Sequence, residues 1–198
     1  MSLYLAALGI PDRKAYLGLF AKNQPRRVAI IPTAWNVAPT AKSDPFMQGI
    51  EKTFAELGFT TLRVDLADYH NKQTELQRDL ADISAIWVMG GNTFYLNYWM
   101  RESGFDKLLP DLLAKGIVYG GESAGAVVAG KTLHGIELLD DPAEAPETLW
   151  PGLNLVDYGI IPHWGEQKYA DRLEQSRDEM RLFCPVKTLK NTDVIIVK

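Results

Sequence analysis

Residues 117–129 read Ile117-Val-Tyr-Gly-Gly-Glu-Ser123-Ala-Gly-Ala-Val-Val-Ala129. An apolar strand-like run enters, a helix-like run leaves, and Ser123 lies between them within Gly121-x-Ser123-x-Gly125. A nucleophile on a sharp strand-to-helix turn needs small neighbours, because its backbone is strained and the flanking chain packs closely. Such a turn lifts the hydroxyl clear of a sheet and leaves N–H groups at the helix start free to face an oxyanion. A plain glycine turn with Ser123 as helix N-cap accounts for the pentapeptide alone. The strand and helix on either side favour the nucleophile.

Working outward, apolar runs and helical stripes alternate. Strands are expected at 3–7, 27–33, 60–65, 83–89 and 117–120, with helices near 12–22, 45–57, 72–81, from Thr93 and from Asp106. Phe46, Ile50, Phe54 and Leu57 form one helical stripe that closes at Gly58. The strands are continuously rather than alternately apolar, which predicts a mostly parallel sheet covered by helices on both faces. Ligands bind such a sheet at the carboxyl ends of its strands, where Gly90-Gly91 and the Ser123 turn both fall. Beyond the nucleophile, the acidic, proline-punctuated stretch 135–154 reads as loop. A strand over 155–161 ends at Pro162-His163, a charged helix follows over 166–183, and 186–197 reads as a hairpin turning at Lys190-Asn191. With no repeat, linker or low-complexity tract, residues 1–198 read as a single domain.

The 198 residues are 46% apolar and 23% charged, the balance of a soluble globular protein. A net charge of −4 with scattered basic residues argues against a nucleic-acid partner. No run has transmembrane length and no signal peptide opens the chain, so neither a membrane nor export is expected. The lone Cys184, in Leu182-Phe183-Cys184-Pro185, fits a reducing, cytoplasmic setting and reads as a buried small hydrophobe. There is no HExxH, cysteine pair, P-loop or strand-linked GxGxxG, so no metal and no cofactor are expected.

A serine becomes nucleophilic when a base takes its proton, and histidine is the usual base. Of the three histidines, His70 and His134 fall in polar breaks, whereas His163 ends an apolar strand at the presumed ligand edge of the sheet. An acid must hold the ring's tautomer. Asp140 and Asp141 lie between Ser123 and His163 in sequence, with Glu137 and Glu166 as further candidates. Glu122 either meets substrate or faces solvent beside the elbow. Gly90-Gly91 permits a backbone N–H to join that of Ala124 as an oxyanion donor. Asn92 either binds the substrate backbone or caps the following helix, as Thr93 could.

Three segments in register, Val88-Met-Gly-Gly-Asn-Thr-Phe-Tyr-Leu96, Gly121-Glu-Ser-Ala-Gly-Ala126 and Gly159-Ile-Ile-Pro-His163, together resemble the peptidase E (aspartyl dipeptidase) family of serine peptidases. That family belongs to the class I glutamine amidotransferase-like superfamily, and the resemblance runs from about residue 27 to 197. It implies a flavodoxin-like three-layer α/β sandwich. It also implies Ser123 as nucleophile, His163 as base, Asp140 as the acid, and Gly91 and Ala124 as oxyanion donors. Members follow the histidine with a Glu-Thr-Arg-x-x-Arg-like stretch whose first arginine binds the aspartate of Asp-X substrates. Here the stretch is Gln167-Lys-Tyr-Ala-Asp-Arg172. Tyr169 stands at the specificity arginine, Arg172 resembles the second, and Lys168 offers a point charge instead of a bidentate fork. The expectation is a serine peptidase for short peptides, monomeric or homodimeric, without strict Asp-X specificity. The alternatives are an esterase or a catalytically silent binding module of the same fold.

Overall fold

Strands apolar at every position need cover on both sides, and the computed structural model, which describes residues 1–22, 24–37 and 45–198, supplies it. Strands β1 (Ser2–Ala6), β2 (Arg27–Ile31), β3 (Thr60–Arg63), β4 (Ala85–Val88) and β5 (Val118–Glu122) run parallel in the order β3-β2-β4-β5-β1. One layer holds α1 (Arg13–Leu17) and α2 (Pro45–Glu56). The other holds α3 (Gln73–Asp79), α4 (Thr93–Glu102), α5 (Phe105–Ala114), the short α6 (Ala124–Val127) and α7 (Ala170–Met180). Alternate residues of the inner strands enter opposite cores. Tyr4, Val28, Ile30 and Trp87 pack with Tyr16 and Phe54, while Leu3, Leu5, Ile31, Ile86 and Val88 pack with Phe94 and Phe105. The expected α/β sandwich with a mostly parallel sheet is what the chain forms.

The C-terminal third departs from expectation. The stretch 186–197 is no hairpin: β7 (Val186–Thr188) pairs in parallel with β6 (Gly159–Ile161), and β8 (Val194–Val197) runs antiparallel to β1 at the sheet edge. Two apolar runs separated by a polar turn favour a hairpin only when no better partners exist, and here each finds one elsewhere. The strand expected over 155–161 shrinks to its last three residues, and β6 belongs to this two-stranded sheet rather than the main one. Helices expected at 12–22 and 166–183 shorten to 13–17 and 170–180. Among the described residues, no helix is long and apolar enough to cross a membrane.

Neighbouring strands β2 and β4 continue in opposite directions, β2 outward to β3 and β4 back to β5. Such a reversal opens a crevice at the carboxyl ends of the strands. At this end β4, β5 and α6 meet through backbone alone. A Cβ on Gly121 would strike the Gly125 carbonyl, and a Cβ on Gly125 would strike that of Val88. Gly125→Ala should therefore cost about 1–3 kcal/mol, as overpacking against backbone does. The check is a lower urea midpoint at unchanged slope.

Candidate active site

Ser123 leaves β5 with φ 50° and ψ −116°, a region that L-residues avoid. Holding it there costs about 1–3 kcal/mol, which the surroundings must supply. Its N–H donates to the Ala6 carbonyl of β1 (3.1 Å), and its carbonyl accepts from Ala126 and Val127 (2.9 Å each). The elbow is clamped on both sides, and the side chain is pushed upward.

The second positive φ of a non-glycine residue in this region belongs to His163, at 60°. β6 delivers the ring: Leu189 N–H donates to Ile161 O (2.9 Å) and Trp164 N–H to Leu189 O (2.8 Å), extending the β6–β7 pairing to either side of the histidine. Ser123 Oγ lies 3.0 Å from His163 Nε2, and His163 Nδ1 lies 2.8 Å from Asn191 Oδ1. Asn191 Nδ2 in turn donates to Glu166 Oε1 (2.6 Å). This chain of contacts fixes every proton. Glu166 accepts only, so the amide turns its NH₂ toward it and its oxygen toward Nδ1. Nδ1 then carries the hydrogen, and Nε2 is left as a lone pair facing the serine.

Asp140 does not hold the ring. Its Oδ2 accepts from the Thr93 N–H (2.9 Å) and hydroxyl (2.5 Å), and burial pushes its carboxyl above the ordinary range against the pull of those bonds. The place expected for it is taken by Asn191. Asp141 instead caps the turn Pro142–Glu144 through Ala143 N–H (2.9 Å), and Glu137 is exposed away from the site. Glu166 is present, but one residue removed from the histidine. His70 lies 3.4 Å from Glu102, and His134 stacks between Trp150 and Phe183, with ring centroids 4.4 and 3.9 Å away.

The residues expected to bind substrate divide. Tyr169 lines the cavity, while the Arg172 guanidinium and Lys168 ammonium lie 5.0 and 5.1 Å from its ring centre, outside that lining. Asn92 is engaged elsewhere, capping α4 through Tyr95 N–H (2.9 Å) and donating to Asp141 O (2.9 Å). Glu122 turns from the cavity to accept from Gly9 N–H (2.6 Å) and Trp87 Nε1 (3.4 Å). Burial raises its pKa, more than these bonds and nearby His163 lower it. The Gly90-Gly91 turn abuts Ser123, and Asn92 N–H donates to Ala34 O (2.8 Å) beside Gly91, which has φ 135°. Ala124 opens α6 directly after the serine.

These groups share one cavity of about 570 Å³, which holds Ser123, His163, Asn191, Asp140 and Glu166. Its remaining wall is largely apolar, with Trp35 and Phe46 in ring contact (4.9 Å) on one side. Among the described residues, no cluster of three His, Cys, Asp or Glu side chains is arranged to hold a metal ion.

The model of peptidase family S51 matches residues 11–198. The chain belongs to peptidase family S51. An uncharacterised peptidase of Listeria innocua is 28% identical over 176 residues, covering 88% of this chain and 82% of its own. Peptidase E of Pasteurella multocida is 33% identical over 159 residues, 80% of this chain and 63% of that longer protein. A crystal structure of a peptidase E candidate from Listeria monocytogenes superimposes with TM-score 0.84 at 26% identity, covering 100% of this chain and 98% of the other. As an S51 member the protein is a serine-type peptidase.

Sequence reasoning missed Asn191. It lies in the polar turn expected to close a hairpin, where an asparagine reads as a turn residue rather than as the histidine's partner. One signal was available: Lys190-Asn191-Thr192-Asp193 is a polar turn that Asp193 closes by accepting from Lys190 N–H (2.9 Å).

Glu122 sets a pH-dependent cost on the fold. Its carboxyl has a raised pKa in the folded state, so stability is fullest below the unfolded-state pKa and declines as pH rises through the folded-state value. Glu122→Gln removes that titration. The variant's melting temperature relative to wild type should climb as pH rises above the ordinary carboxylate range and then level off. A difference that stays constant with pH would show that Glu122 does not titrate differently on folding.

Proposed function

We propose that this S51 peptidase hydrolyses short peptides through an acyl-enzyme, without a cofactor and without strict preference for an N-terminal aspartate. The observation that carries the reading is the 3.0 Å contact of Ser123 Oγ with His163 Nε2, in a tautomer set by Asn191 and Glu166.

In this reading His163 Nε2 takes the hydroxyl proton as Ser123 Oγ attacks the peptide carbonyl carbon. The carbonyl π electrons move to oxygen, which the N–H groups of Gly91 and Ala124 would receive. The imidazolium returns its proton to the leaving amine as the C–N bond breaks. Water then enters and loses a proton to Nε2 as its oxygen bonds to the acyl carbon; the imidazolium returns that proton to Ser123 Oγ as the acyl–oxygen bond breaks and the acid leaves. Asn191 is neutral, so it orients the ring but stabilises the imidazolium less than a carboxylate would. The anionic Glu166 behind it and Asp140 across the cavity offset part of that loss.

Two features support relaxed specificity. Tyr169 forms cavity wall where the family resemblance places an arginine, and Lys168 and Arg172 are engaged over its ring. A tyrosine hydroxyl gives one neutral hydrogen bond where a guanidinium gives two charged ones.

Ser123→Ala should fold normally and lose turnover by about 10⁴-fold or more, and wild type alone should take up a fluorophosphonate probe. Undiminished peptide hydrolysis by folded Ser123→Ala would sink the reading. Absence of labelling and of peptide turnover in wild type would point to the silent module.

Asn191→Ala should lower kcat by about 10²-fold, within the range for a disturbed general base. Glu166→Ala should cost about 10-fold in the wild-type background and little in Asn191→Asp, because a carboxylate needs no orienting. Equal losses in both backgrounds would mean that Glu166 acts independently of Asn191.

A further inference from the structure

Asp140 is a carboxylate whose location invites a ligand. It faces the same cavity as Ser123 and His163, and Thr93 holds it by one oxygen, Oδ2. Oδ1 accepts no protein hydrogen bond among the described residues, and no lysine or arginine among them lines the cavity. Thr93 begins α4 directly after the Gly90-Gly91-Asn92 turn that abuts Ser123. The carboxylate is therefore tied to the segment proposed to receive the substrate carbonyl oxygen, on the acyl side of the bond to be broken. Glu166, bonded to Asn191, stands with the histidine that protonates the leaving amine.

We propose that Asp140 binds the free α-ammonium of the substrate's first residue, whose apolar side chain fills the cavity. This rests on Ser123 being the nucleophile. In an N-terminal residue the α-ammonium and the scissile carbonyl are attached to the same Cα, so an anion beside the oxyanion segment is where the charge must be met. Burial holds the Asp140 carboxyl above its ordinary range, and a bound ammonium would offset that cost of burying it.

The walls select the side chain. Val127 follows the nucleophile on α6, Ile136 and Leu139 precede Asp140, and Leu173 extends the surface from α7. Burying a leucine- or phenylalanine-sized group there favours binding by about 10- to 100-fold over leaving it in water. An aspartate side chain would meet Asp140 and Glu166 instead, two like charges, with no lysine or arginine lining the cavity among the described residues. A cavity of about 570 Å³ accommodates one such residue and part of the next.

The test uses the wild-type protein and Asp140→Asn with X-Leu dipeptides (X = Leu, Phe, Met, Asp) and their N-acetylated forms. In wild type, kcat/KM should be at least about 10-fold higher for the apolar first residues than for Asp-Leu, and N-acetylation should lower it about 100-fold or more. Leucinamide should inhibit competitively and N-acetylleucinamide should not, a comparison that needs no variant. In Asp140→Asn the ratio of free to acetylated substrate should collapse to within about 10-fold, mainly through KM. Equal cleavage of acetylated peptides, a ratio unchanged in Asp140→Asn, or Asp-Leu as the best substrate would each overturn the proposal while leaving Ser123 as nucleophile. Failure of fluorophosphonate to label Ser123, with no dipeptide cleaved, would overturn the catalytic reading itself and this proposal with it.

Discussion

The contact on which the rest depends is backbone against backbone. The carbonyl of Val88 at the end of β4 lies against Gly125 in the first turn of α6, and the carbonyl of Gly125 lies against Gly121 at the end of β5. No side chain intervenes. Two strands and a helix therefore approach more closely than any residue with a Cβ allows, and the chain between them turns sharply at Ser123. That closeness imposes the unusual φ and ψ of the serine and directs its hydroxyl into the crevice. The apolar cores on the two faces of the sheet supply the free energy that keeps so strained a residue in place.

Where each strand and helix formed by its own pattern, the sequence was legible. Strands β1, β2, β4 and β5 read as largely apolar runs because both of their faces are buried, and the glycine spacing around Ser123 reads as an elbow because the packing tolerates nothing larger. His163 was legible for the same local reason: it ends a strand. What escaped was partner choice. Val186–Thr188 and Val194–Val197 are each too short to announce a neighbour, and a polar turn between them resembles a hairpin until β6 and β1 are in place. The histidine's partner was lost with them. Asn191 reaches the ring only because β7 runs alongside β6, and nothing in its neighbourhood of sequence records that pairing.

Using an amide to hold a histidine trades charge for direction. A carboxylate accepts through either oxygen in any orientation. An amide has one accepting end and must be told which way to face, and Glu166 does so by taking the NH₂ group. The negative charge then sits one residue farther from the ring, where its attraction for an imidazolium is weaker. Glu122 and Asp140 add carboxylates that both lie close enough to His163 to feel its charge. The field at the base is thus assembled from several modest sources rather than one strong one.

Nucleophile and base ride on different sheets. Ser123 is anchored to the six-stranded sheet, whereas His163, Glu166 and Asn191 are carried by the β6–β7 ribbon and its turns, which rest on α6 and α7. A three-residue parallel pair has few interstrand bonds, so the ribbon's place against the main sheet rests on the burial of Ile160, Ile161 and Leu189 in the core. The register of nucleophile and base therefore depends on packing between the two sheets, not on strand pairing alone. Amide exchange along the ribbon, rather than global melting, is the measure of how long the hydroxyl and the imidazole remain in register.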